Sequence, residues 1–128
     1  MNVQVTLDIS SQKISDQLIT AFEGGSNYWL QTAELITSVN APTERPWYSS
    51  PVVFDSSFTF KVGYDDPNLE EGNGQGRRTI GLAAVKDGLQ TMAEKFPRHF
   101  ADLVSEEGDA ITADVFLQCV VFDDVIYS

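Results

Sequence analysis

Three clusters of residues in this chain have the types and spacing to do chemistry. The first is Glu23-Gly24-Gly25-Ser26-Asn27-Tyr28-Trp29, which follows an amphipathic helical pattern. Two glycines can take left-handed angles without a Cβ penalty, stop the helix and reverse the chain. A carboxylate, an amide, a phenol and an indole are then delivered to one place, and Glu23 and Asn27 suit the reading of hydroxyl or amino groups on a ligand. The same stretch also reads as a helix cap followed by core aromatics. The second cluster is Gly72-Asn73-Gly74-Gln75-Gly76-Arg77-Arg78-Thr79. Its glycines could turn backbone N–H groups toward an anion, and Arg77 and Arg78 could meet phosphate; a plain surface loop is the simpler reading. It ends in no Gly-Lys-Ser/Thr and does not match the dinucleotide fingerprint. The third is Asp114 with Gln118, one helical turn apart, read either as a solvent-facing stripe or as a polar pair in a cleft.

Other candidates are weaker. His99 and Cys119 are single residues of their kinds. Cys119 sits in an apolar stretch and reads as a small buried hydrophobe, and His99 reads as a surface residue. Asp65, Asp66, Glu70 and Glu71 crowd one loop but miss the calcium-loop spacing, and one histidine cannot build the usual zinc sites. No catalytic residue, metal or cofactor is therefore assigned. Trp29, Tyr28, Trp47 and Tyr48 form two aromatic pairs near turns, suited to core packing or to stacking on a planar ligand.

Positioning these groups falls to one domain, residues 1–128. Val3, Val5 and Leu7 alternate with polar residues, predicting a first strand. A helix follows, capped by Asp8, Ser10 or Ser11, with Ile14, Leu18, Ala21 and Phe22 on one face. Residues 29–36 read as extended, residues 40–51 as a proline-rich loop, and Phe58–Tyr64 as a strand. Residues 65–78 read as a polar loop, with Thr79 capping a helix striped by Leu82, Val85, Leu89, Met92 and Phe96. Gly88 within it points to a close packing contact. Pro97 breaks that helix and opens another, with Phe100, Leu103 and Val104 inward. Gly108 and Asp109 mark a turn and a cap before a last amphipathic helix carrying Ala113, Phe116, Leu117, Val120 and Val121. Four helices on a small, mainly antiparallel sheet make an α+β domain.

Composition narrows the function classes. The 128 residues are 42% hydrophobic and 11% aromatic, enough for a core without staples. One cysteine makes no internal disulfide, no run approaches a membrane span, and the start lacks a leader pattern, so a soluble cytoplasmic protein is expected. Nineteen acidic against eight basic residues give a net charge of −11. Direct nucleic-acid binding is disfavoured, while docking on a basic surface by imitating a polyanion is open. The apolar stretch Val120–Tyr127 could close a symmetric dimer.

Glu23–Trp29, Gly88-Leu89-Gln90-Thr91-Met92-Ala93 and Asp109-Ala110-Ile111-Thr112-Ala113-Asp114 with Gln118 together resemble a family of small phage and prophage proteins of unassigned function. Members share a helix running into Glu-Gly-Gly-x-Asn-Tyr-Trp and an Asp-Ala-x-Thr-Ala-Asp-x-x-x-Gln segment before an apolar, often Tyr-bearing tail. The likeness covers roughly the first 30 and last 50 residues. It implies a phage context in which small proteins counter host defence. Three functions fit: a non-enzymatic protein that sequesters a nucleotide-derived signal, with Glu23, Gly24, Gly25, Asn27, Tyr28, Trp29, Arg77, Arg78, Asp114 and Gln118 as ligand-binding residues; an acidic inhibitor of a basic host defence protein; or a small hydrolase of a nucleotide signal, with Asp114, Glu23 or His99 moving protons.

Overall fold

The computed structural model describes residues 1–66 and 75–128. Helix α1 spans Ser11–Thr20, with the Ser10 side chain accepting from the Lys13 amide at 3.2 Å. It runs into a wide turn over Ala21–Gly25, after which come strands β1 (Leu30–Ser38), β2 (Phe58–Asp65) and β3 (Gln75–Gly81). Helices α2 (Leu82–Lys95), α3 (Pro97–Ser105) and α4 (Ala110–Phe122) complete the chain. The sheet is antiparallel in the order β1-β2-β3, with Phe60 opposite Leu35 and Ile80, and Val62 opposite Ala33 and Arg78. The α+β reading of four helices on a small antiparallel sheet holds.

Strand β2 gives the sheet its inner face, because Phe58, Phe60, Val62 and Tyr64 alternate inward and are all buried. Helix α4 lies at the centre of the helical layer. Its residues Thr112 to Val121 are buried without interruption, so it packs on all sides rather than along one stripe. Gly88 of α2 explains how closely a neighbour can approach: a Cβ there would lie 2.6 Å from Val120 Cα. The close contact expected at Gly88 is present. Lys13 ties α1 to α3 by donating to the Val104 carbonyl at 2.6 Å.

Four local expectations are corrected. Val3–Leu7 forms no strand: residues 1–9 make no backbone–backbone hydrogen bond, and a strand needs a paired neighbour. Neither glycine of the pair is left-handed; Gly24 has φ 179° and ψ −61°. Gly25 is required for a different reason, since a Cβ there would meet the Ala110 carbonyl oxygen at 2.5 Å. Residues 75–81 form β3 rather than a loop and a helix start, so Gly81 instead of Thr79 occupies the cap position of α2. Only Ile80 of β3 is buried, which left the segment without an apolar signal. Helix α4 is not amphipathic, and Asp114 and Gln118 are interior residues.

Residues 40–51 are a loop with short helical turns at Trp47–Ser49 and Pro51–Asp55. Ser50 Oγ accepts from the amides of Thr43 and Glu44 at 3.0 and 2.7 Å and holds the loop closed. Trp47 and Tyr48 pack against Phe22, at 6.1 and 4.9 Å between ring centroids, and Trp47 against Phe60 at 5.3 Å. This aromatic pair serves the core.

Candidate functional site

The turn after α1 brings Ser26, Tyr28 and Trp29 against α4 at Asp114. One carboxylate oxygen accepts from Ser26 Oγ at 2.8 Å and from Trp29 Nε1 at 2.7 Å. The other accepts from Tyr28 OH at 2.5 Å and Gln118 Nε2 at 3.0 Å. Gln118 then grips the tail: its Oε1 accepts the amides of Ile126 and Tyr127, each at 2.8 Å, and its Nε2 donates to the Tyr127 carbonyl at 3.2 Å. Tyr127 lies flat on Trp29, with centroids 5.2 Å apart and planes 7° from parallel. Segments Glu23–Trp29 and Asp109–Gln118, and the tail after them, meet at one interior carboxylate.

Among the described residues no cationic side chain pairs with this carboxylate. Among the described residues the ion pair found is Lys95–Asp124 at 3.7 Å, on the surface. Four neutral donors take the place of a counter-ion, which is the arrangement that lets an interior charge remain hydrogen-bonded in full. Ser26, Trp29 and Gln118 are almost fully buried, so each donor depends on Asp114 or the tail for its partner. Tyr28 differs: its ring is 52% exposed while its hydroxyl reaches inward. Burial, then the hydrogen bond and charge of Asp114, push its hydroxyl up to about 12, against a smaller downward pull from Gln118. Tyr48 is pushed to about 12 by burial and then by its hydrogen bond to Glu23.

The remaining site candidates separate. Glu23, Gly24 and Asn27 are exposed at the turn, and the Asn27 side-chain amide makes no hydrogen bond among the described residues. Arg78 is engaged within the fold, donating to Tyr64 OH at 3.2 Å and to the Val121 carbonyl at 3.1 Å, with its guanidinium 5.4 Å above the Phe122 ring. There it satisfies a carbonyl at the C-terminal end of α4, where a cation is favoured. Arg77 is exposed and pairs with no other described residue through its side chain. Gly72, Asn73, Gly74, Glu70 and Glu71 lie outside the described residues. Sequence reasoning named Ser26 only as part of its motif and missed Tyr127 as a partner of Trp29. A tyrosine after an apolar run, Val125-Ile126-Tyr127, was the signal.

Two hollows, of about 600 and 550 Å³, open on the described surface. Neither is lined by Glu23–Trp29, Asp114 or Gln118; Arg78 lines the second, together with Asp87 and Asp123. Trp29 has both faces covered and is 1% exposed. The carboxylate cluster joins the turn after α1, helix α4 and the tail as an interior clasp. A cysteine–histidine pair does not form: His99 Nδ1 faces Thr112 Oγ1 at 3.5 Å. Burial, then the charges of Asp124 and Asp123, push the Cys119 thiol up to about 12, leaving no thiolate nucleophile near neutrality. Among the described residues no three of His, Cys, Asp and Glu converge as metal ligands, and no helix is long and apolar enough to cross a membrane.

These raised values predict an alkaline weakness. Tyr28, Tyr48 and Cys119 lose their protons more readily when unfolded, so deprotonation favours the unfolded chain. Their contribution is whole below about pH 9 and drains as pH climbs from there toward 12. The urea midpoint is expected to hold steady from about pH 7 to 9 and to fall above it. A midpoint unchanged at the upper end contradicts the assignment.

Comparison with protein-family models, with curated proteins and with solved structures finds no match for this chain.

Proposed function

We propose that this is a non-enzymatic binding protein of phage origin that counters host defence by docking its acidic surface on a basic face of a host protein. The observation that carries the reading is unbalanced charge on a rigid frame. The chain has net charge −11, and one surface ion pair, Lys95–Asp124, is found among its described residues. At the corner between α3 and α4, Glu106, Glu107 and Asp109 are consecutive exposed acids, broken only by Gly108. Asp109 has a second duty, accepting the amides of Ile111 and Thr112 as the cap of α4, which holds its carboxyl below the usual range. Glu106 and Glu107 have no such duty and suit a charge test.

With both reversed to lysine, affinity for the partner is expected to fall about tenfold, mainly through slower association, and the salt dependence to weaken. Affinity purification from host cells identifies the partner, and stopped-flow binding at several salt concentrations measures the effect. Binding indifferent to both salt and charge reversal rejects the reading.

A second reading, capture of a nucleotide-derived signal, is favoured by one observation: Tyr28, Asn27, Glu23 and Arg77 are all exposed, with Tyr28 offering an aromatic face. Mass spectrometry of small molecules released from protein purified out of infected cells separates the two. A retained nucleotide, recovered intact, supports capture; a bound basic protein supports docking.

A further inference from the structure

We propose that two copies of this chain associate through residues 1–9, their N-terminal arms pairing as an antiparallel ladder. The arm carries the code of a strand, with Val3, Val5 and Leu7 on alternate positions, yet its backbone has no backbone partner among the described residues. Those three side chains are 75%, 80% and 55% exposed. A strand with one apolar face and bare N–H and C=O groups is half of a structure, and it is completed by another strand.

The arm also stands off the body and leaves a hollow of about 600 Å³ between them. Val5, Leu7 and Ile9 form one wall; Ile14, Phe54 and Leu89 belong to the other. Leu82, at its edge, is 49% exposed. No side chain of the same copy fills this space, and its lining is mostly apolar.

Charge and size both point to a second copy as the occupant. In a chain of net charge −11, self-association is repelled across most of the surface. The hollow is an exception, since Asp8 and Lys86 are the charged residues of its lining and cancel, and residues 1–7 carry no acid. Pairing about a twofold axis at Val5 sets Val3 of each arm opposite Leu7 of the other, so one patch serves both partners. The nine arm residues and the eleven body residues lining the hollow amount to about twenty positions per copy, the scale of a standard interface of roughly 800 Å² per partner.

Sedimentation equilibrium of the full chain tests this. The wild type is expected to show twice the 14.1 kDa chain mass. Val5→Asp sets two carboxylates face to face at the axis and is expected to weaken association by ~100-fold or more. Because Val5 is exposed in the single copy, the variant should keep its circular dichroism spectrum. Val5→Cys is expected to form a disulfide-linked dimer under mild oxidation, while the buried Cys119 stays unreacted. A single-chain mass for the wild type at every concentration overturns the proposal, and so does a dimer that survives Val5→Asp.

Discussion

Asp114→Ala is expected to cost on the order of 3–5 kcal/mol and to lower the thermal midpoint by roughly 10–20 °C. The substitution removes few atoms, so lost packing is a minor part of that figure. The larger part is the donors it strands. Ser26 Oγ and Trp29 Nε1 lose their partner in a region where water cannot replace it, and Gln118 loses one acceptor. Tyr28 loses the Asp114 acceptor too, but keeps its contact with Gln118 Nε2 at 3.2 Å. Asp114→Asn should fall between the two. Its carbonyl still accepts from two donors, but its NH₂ confronts the Gln118 amide, which also donates. Calorimetry and the emission of Trp29 report the outcome together. A variant as stable as the parent with unchanged emission rejects the clasp as a stability element.

Gly88→Val is expected to be at least as damaging, by about 3 kcal/mol or more, and for a steric reason. Helix propensity alone favours replacing a mid-helix glycine, by about 1 kcal/mol for alanine. The new Cβ would sit 2.6 Å from Val120 Cα and 2.7 Å from its nitrogen. Those are backbone atoms of the most enclosed helix, so they cannot swing aside as a flexible side chain would. Clash outweighs propensity, and even Gly88→Ala should lower the urea midpoint. Gly81→Ala is the control: its nearest contact is the Phe58 carbonyl oxygen at an ordinary 3.5 Å, and its effect should stay within ~1 kcal/mol. A Gly88→Ala variant more stable than the parent would show that α2 and α4 are freer to move apart than their packing implies.

The helices were legible because their apolar residues recur at steps of three and four, as at Leu82, Val85, Leu89 and Met92 in α2. Strand β2 was legible from its alternation. Strand β3 was not, because Arg77, Arg78 and Thr79 are polar and its inward positions include Gly76, which shelters the Tyr64 ring rather than contributing one. The central burial of α4 was hidden for the opposite reason. A helix covered on all sides carries apolar residues all round, and its two interior polar residues then look like an outer face. Nothing local to Asp114 announces that its donors come from residues some 85–90 positions earlier. The same holds for the arm, whose strand pattern is written plainly but whose pairing cannot be settled inside one copy. The motif Glu23–Trp29 stands out for its glycines and aromatics, and its aromatic character reads as an invitation to a ligand. The structure spends Trp29 on Tyr127 and Asp114.

The long reach of the clasp has a consequence for how this protein is made. Ser26, Tyr28 and Trp29 leave the ribosome before Asp114, Gln118 and Tyr127. The indole and the two hydroxyls must therefore wait in the nascent chain for these partners, and the clasp closes only once residues 114–127 have emerged. A product that stops before Tyr127 would lack the ring stacked on Trp29 and should be a loosened, protease-sensitive chain.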